Sequence, residues 1–248
     1  MPSLFVVLSL VFQAALIVHC IKTGRNQIWI WVLALLSMAG VIAYVVAELI
    51  PDLLRSRTTQ RTVSGVKKAL DPEANLRRYE GAARLTGNVD SQQRYADELI
   101  RQGQAGKAVE VCQQALRGLY EHDAGLLLTL ARAQFEAGQP RVARTTLDLL
   151  IEHNPQFKSP EGHLLYARAL EAEDDNTRAL AEFKVLAGYY PGAEATVRYA
   201  QLLTRTGDAE TAKTLLRELL DRAQNGPQHY RRTQADWLAK ATQQLGTL

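Results

Sequence analysis

Histidine and cysteine are the side chains best suited to metal, nucleophilic or general-base chemistry, and their spacing decides whether they can cooperate. The five histidines, His19, His122, His153, His163 and His229, are scattered along the chain. They form no HExxH pair, which would put two imidazoles on one helix face, and none has a lysine two positions on. No CxxC, GxSxG nucleophile elbow or GxxxxGK[ST] phosphate loop occurs. His122, His153 and His163 fall near junctions between helical segments, where surface or junction roles are expected. Glu171, Glu173, Asp174 and Asp175 form a short acidic run at an inter-helix turn and are expected to be solvated rather than to hold calcium. The two cysteines, Cys20 and Cys112, lie in apolar and helical patterns far apart, and read as buried free thiols suited to a reducing compartment. The expectation is of no catalytic site, no cofactor and no metal, and so of a protein that is not an enzyme.

The elements that must position any other site follow from the charge pattern. Lys and Arg total 29 against 26 Asp and Glu, a net charge of +3 too small to argue for nucleic-acid binding, and none is expected because the basic residues cluster in one segment and are balanced by acids elsewhere. The distribution is uneven, since residues 1–50 carry only Lys22, Arg25 and Glu48. Segments 4–21 and 28–50 are apolar and about as long as the roughly 20 residues a helix needs to cross a bilayer. The polar link between them is short, which predicts a two-helix transmembrane hairpin over residues 1–52, with Trp29 and Trp31 at an interface. A cleaved signal peptide is the rival, but the start has no basic n-region and no small-x-small site precedes the polar turn. Residues 53–71 form a linker holding Arg55, Arg57, Arg61, Lys67 and Lys68 without an acid before Asp71. By the positive-inside rule this linker faces the cytoplasm, and it is suited to anionic lipid headgroups. The expected location is the cytoplasmic (inner) membrane, with the charged body in the cytoplasm. The segment Gly40-Val41-Ile42-Ala43-Tyr44 resembles the N-terminal membrane hairpin of phospholipase-D-type cardiolipin synthases. Without that family's HxK motif, the resemblance implies an anchor without the enzyme.

Asp71-Pro72-Glu73 is a helix-start signature, so residues 72–88 are expected to form a capping helix. Beyond it the sequence repeats. Ala108, Ala143, Ala179 and Ala212 recur at spacings of 35, 36 and 33, each preceded twelve residues earlier by Ala96, Ala131, Ala167 or Ala200. Gly103, Gly138 and Gly207 mark the intervening turns, with Asp174 in the third, and Pro155 and Pro191 close two units. Small residues let paired helices approach, and a helix pair that cannot bury its own apolar face must stack on its neighbours. This set resembles the tetratricopeptide repeat (TPR) in four units over residues 89–226. The tail, 227–248, reads as a further amphipathic helix whose Trp237 and Leu238 cap the last unit. The fold class is therefore all-α: a hairpin, then an α-solenoid with capping helices.

The resemblance implies a concave groove lined by the first helix of each unit. Carried over by position, it assigns Gln93, Asp97 and Arg101 from the first unit and Leu128, Arg132, Phe135 and Glu136 from the second. The third contributes Leu164, Arg168 and Glu171, and the fourth Val197, Gln201 and Arg205. A row of guanidinium groups can hold carboxylates by paired hydrogen bonds, so an acidic segment or C-terminal carboxylate of a protein or peptide partner is expected, with Phe135 as an apolar anchor. The opposing expectation is that these arginines pair with Asp97, Glu136 and Glu171. The function so read is a membrane-anchored adaptor; the alternatives are a self-assembling structural protein, with the hairpin forming homo-oligomers, or an accessory of a lipid-metabolism or envelope-assembly enzyme.

Overall fold

The computed structural model describes residues 73–248 together with Lys22. The expected hairpin, the basic linker with Arg55, Arg57, Arg61, Lys67 and Lys68, and Cys20 lie outside the described residues. The chain divides into two units, 1–74 and 75–248; the architecture below is that of the second.

Every regular element among the described residues is helical. After α1 (Ala74–Thr86) come four antiparallel pairs: α2 (Val89–Arg101) with α3 (Ala105–Ala115), α4 (Ala124–Glu136) with α5 (Pro140–His153), α6 (Pro160–Ala172) with α7 (Asn176–Tyr189), and α8 (Glu194–Arg205) with α9 (Ala209–Asn225). Two short helices follow, α10 (Gln228–Thr233) and α11 (Ala235–Leu245). No helix among the described residues is long and apolar enough to cross a membrane.

Local chemistry sets the helix ends. Asn88, Asp123, Ser159, Asp175 and Asp208 each accept a hydrogen bond from a backbone N–H in the first turn that follows, satisfying donors the helix leaves open. Pro140 and Pro160 open α5 and α6, where the missing N–H costs nothing. The turn inside each pair needs one left-handed residue, at φ 75° for Gly103, 77° for Gly138, 61° for Asp174 and 95° for Gly207. Around it the same bonds recur, as in Gln104 N–H to Leu99 O (2.8 Å) and Asp175 N–H to Leu170 O (3.0 Å). Asp174 thus adopts what glycine supplies elsewhere, at a cost that is about 1–2 kcal/mol for an ordinary L-residue. Because glycine itself loses more chain entropy on folding, Asp174→Gly is expected to stabilise the fold by at most about 1 kcal/mol, and Gly138→Ala to destabilise it by a similar amount. Parallel thermal melts check both, and a lowered Tm for Asp174→Gly would contradict the assignment.

The repeat alanines do what their spacing predicts. Ala96, Ala131, Ala167, Ala200, Ala108, Ala143, Ala179 and Ala212 are all fully buried. Large side chains fill the space beside them. Phe183 is fully buried among Leu164, Leu170, Leu186 and Leu202, so this cluster joins the third unit to the fourth. Cys112 is likewise a core side chain, its thiol pushed up to about 12, first by burial and then by the Asp97 charge. A thiol so protonated is unsuited to nucleophilic attack.

Two expectations change. The tail is two helices rather than one, broken at Gln234. The break has a function in the fold: Gln234 Oε1 accepts the Ala193 N–H at 3.0 Å, at the start of α8, which has no side-chain cap of its own. Beyond the break, Trp237, Leu238, Leu245 and Leu248 cover the apolar edge made by Val197, Leu203, Leu216 and Leu219. The acidic run is the second. Glu173 is only 12% exposed and binds Arg144 at 2.9 Å, with Arg141 at 3.7 Å, while Glu171 pairs with Arg205 and Arg198. Glu171 and Glu173 thus tie units together instead of standing in solvent, whereas Asp174 is exposed as expected and Asp175 binds Arg178 of its own helix.

Candidate functional site: the groove of the first helices

The first helices, α2, α4, α6 and α8, present a stripe that begins one residue after each buried repeat alanine. Position alone gives Asp97, Arg132, Arg168 and Gln201 one shared register, with Ile100, Phe135, Glu171 and Thr204 three residues further on. Each helix is set 33–36 residues after the last, so an acid on one unit reaches an arginine on the next.

Three such steps occur. Arg132 Nη2 donates to Asp97 Oδ1 at 2.6 Å, joining the second unit to the first. Arg168 Nη2 stands 3.8 Å from Glu136 Oε1, a longer contact between the third unit and the second. Arg205 Nη2 donates to Glu171 Oε1 at 2.6 Å, joining the fourth to the third. Arg101 shares the register of Arg205 but has no preceding unit to reach, and it folds back on Glu98 of its own helix. Burial pushes the Asp97 carboxyl above its ordinary range, and Arg132 partly offsets this.

Arg168 differs from the others. Its guanidinium lies over the Phe135 ring at 4.6 Å from the centroid, its side chain is 26% exposed, and its Nε is buried without a hydrogen-bond partner. Burial, and then the Arg198 charge, push it below its ordinary value. Arg198 in turn holds Glu194 at 2.8 Å and Glu171 at 3.6 Å and lies 5.2 Å from the centroid of Trp237. Lys240 sits 4.0 Å from the centroid of the same indole.

The assigned residues therefore divide. Asp97, Arg132, Phe135, Glu136, Arg168, Glu171 and Arg205 meet in three sets of contacts, one at each junction between first helices. Leu164 and Val197 do not belong to the groove; both are buried in the core, because at their register the third and fourth first helices turn an apolar side chain inward. Leu128 is half-buried in the neighbouring core cluster, and a Cβ on Gly162 would stand 3.2 Å from its Cδ1. Gln93 lies equally close over Gly125, where a Cβ would meet its Oε1 at 2.9 Å. Gln201 is half-buried. Position missed Arg198 and Trp237. The residue matching Arg198 in α6 is the buried Leu165, and Trp237 reaches the site from outside the repeat. A basic residue standing where the previous unit has leucine was the available signal.

Other candidates for chemistry do not converge. His122 and His153 stack face to face at 3.6 Å, with planes 5° apart, and Asn154 Nδ2 donates to the His122 carbonyl at 2.9 Å. Lone pairs of parallel rings lie in parallel planes, so the two cannot aim at one ion without turning. Among the described residues no three His, Cys, Asp or Glu are grouped to hold a metal.

Residues 99–169 match the tetratricopeptide repeat family. Among solved structures, the chain is similar to MamA from Desulfovibrio magneticus at 15% identity and a TM-score of 0.55, over 66% of this chain and 93% of that one. It is similar to a thermophilic TPR protein from Thermus thermophilus at the same identity and TM-score, over 75% of this chain and 96% of that one. At such identity these likenesses establish the fold, an all-helical solenoid of TPR-like pairs, and nothing of partner or activity. No curated protein gives a significant match.

Proposed function

We propose that this protein is an adaptor that seats a protein or peptide partner in the groove of its first helices, and that residues 1–52 anchor it to the cytoplasmic membrane with the solenoid in the cytoplasm. One observation carries the groove reading: among the described residues Arg168 is the groove guanidinium without a hydrogen bond, while Arg132 and Arg205 are already bound to the acid one unit back. A charged group held over Phe135, its ion pair with Glu136 stretched to 3.8 Å, favours a closer incoming carboxylate, since hydrogen bonds to a charged donor are the stronger kind. The acidic preference then rests on Arg168 and not on a row of equal arginines. The planar guanidinium lies over the Phe135 ring, a placement that a lysine's compact ammonium could not reproduce. Anchoring would add effective concentration for any partner that is also at the membrane.

In-cell crosslinking and affinity purification of the tagged full-length protein tests this. The crosslinked partner is expected to fall roughly tenfold with Arg168→Ala, a loss of about 1.4 kcal/mol. Arg168→Lys is expected to recover it only in part, while Arg132→Ala changes it little. Undiminished recovery with Arg168→Ala would overturn the groove reading.

A further inference from the structure

A second cavity shares no residue with the groove. It holds about 500 Å³, between the end of α5, the start of α6 and α7, within the range that small ligands occupy. Leu147, Leu150, Ile151, Phe157, Pro160 and Tyr189 make its lining mostly apolar. Three of these stay unusually open for large apolar side chains, with Ile151 at 60%, Tyr189 at 49% and Phe157 at 41% exposure.

Its polar side chains are almost all engaged. His163 is fixed between α6 and α7, with Nδ1 2.7 Å from the Tyr189 hydroxyl and Nε2 2.7 Å from a Glu182 carboxylate oxygen. Burial, and then the Asp148 charge, push the Tyr166 hydroxyl above its ordinary value. The Ser159 hydroxyl accepts the Gly162 N–H at 3.0 Å, and Glu161, which also borders this region, leans toward the same hydroxyl at 3.5 Å. Lys158 is the exception, a lining cation that makes no ion pair among the described residues. A ligand here would therefore meet an apolar wall already held in shape by hydrogen bonds, and one uncommitted positive charge.

We propose that this cavity binds a single-chain amphiphile, an aliphatic chain of about ten carbons ending in a carboxylate. The chain lies along Ile151, Phe157 and Tyr189, with the buried Leu147 and Leu150 behind them, and the carboxylate pairs with Lys158. Apolar burial supplies the affinity, and the cation selects an anionic head over a neutral one. The site is independent of the groove, and either can fail without the other.

The test uses full-length protein in phosphatidylcholine vesicles, with a photoreactive decanoate and the matching photoreactive decanol as probes. Decanoate crosslinks are expected within 147–166 and 182–189. Ile151→Glu, a change at an exposed rim position that leaves the core intact, is expected to cut their yield at least tenfold while the far-UV helical signal is unchanged. Lys158→Gln is expected to lower the decanoate yield severalfold and leave the decanol yield alone. Shortening the chain by two methylenes is expected to weaken binding roughly tenfold, from about 0.8 kcal/mol per buried methylene. Crosslinks confined to other regions, or indifferent to Ile151→Glu, would overturn the site. Equal yields from decanoate and decanol would overturn the anionic selectivity, and with it the proposal as stated. Capture of a protein in place of the probe at these residues would overturn it equally.

Discussion

Phe183→Ala is expected to cost about 3–5 kcal/mol, the range for truncating a buried aromatic to alanine. The ring has no exposed surface and lies among Leu164, Leu170, Leu186 and Leu202, with Ala167, Ala179 and Ala195 closing around it. Those neighbours are fixed by helix pairing and cannot collapse into the space. The loss also falls at a particular place. Ala195 and Leu202 belong to the fourth unit and the others to the third, so the cavity opens the contact between units. In a stacked array stability is close to a sum of unit and interface terms, and a weak interface separates transitions that were joined. Urea denaturation of the full-length protein followed by far-UV circular dichroism is expected to show an earlier and broader transition for Phe183→Ala. Phe183→Leu, which retains most of the volume, is expected to lose roughly half as much or less. A cost below about 1 kcal/mol for the alanine variant would mean that the ring does not hold these units together.

Glu173→Ala is expected to cost about 2–3 kcal/mol, far more than an ordinary surface charge. Glu173 and Arg144 are 12% and 20% exposed and bonded at 2.9 Å, and the hydrogen bond that Arg144 donates to Glu173 is the first cause that raises Arg144 above its ordinary value. Exposed pairs contribute about 0–1 kcal/mol. Removing one member of a buried pair costs about 3–5 kcal/mol, because a charge is left without compensation. Arg144 lies between these limits, since Asp148 still accepts from it at 2.9 Å. The pair spans α5 and the end of α6, so its loss loosens the second unit from the third. Glu173→Gln keeps the acceptor and is expected to lose less. The double variant Glu173→Ala with Arg144→Ala is expected to be less destabilised than the sum of the two single changes. Additive costs in that cycle would show that the two side chains act separately.

Both predictions concern junctions between units, and there the sequence and the tertiary structure contributed differently. Helix pairing was legible from spacing, because a left-handed turn admits glycine readily and a close helix crossing admits only small side chains. The eight alanines and the glycine turns could be read directly, and even Asp174 could be placed, by register, where its backbone would be left-handed. Of the caps, only Asp71 was read from the sequence, and it lies outside the described residues; Asn88, Asp123, Ser159, Asp175 and Asp208 emerged with the structure. The arginines could be aligned but their partners could not be chosen. Whether Arg132 meets Asp97 or an incoming carboxylate depends on the rise and rotation from one unit to the next, which no local pattern encodes. The same rotation turned Leu164 and Val197 inward from positions that register had assigned to the groove. It also brought Glu173, expected in solvent, against Arg144. The cavity beside His163 was equally invisible, because its walls come from the end of one helix pair and both helices of the next. The sequence by itself determined the repeat, its left-handed turns and its alanine seams, for these follow from local backbone and steric rules. The tertiary structure alone decided which charges meet and which remain open, because those contacts depend on distances set by the stacking of whole units.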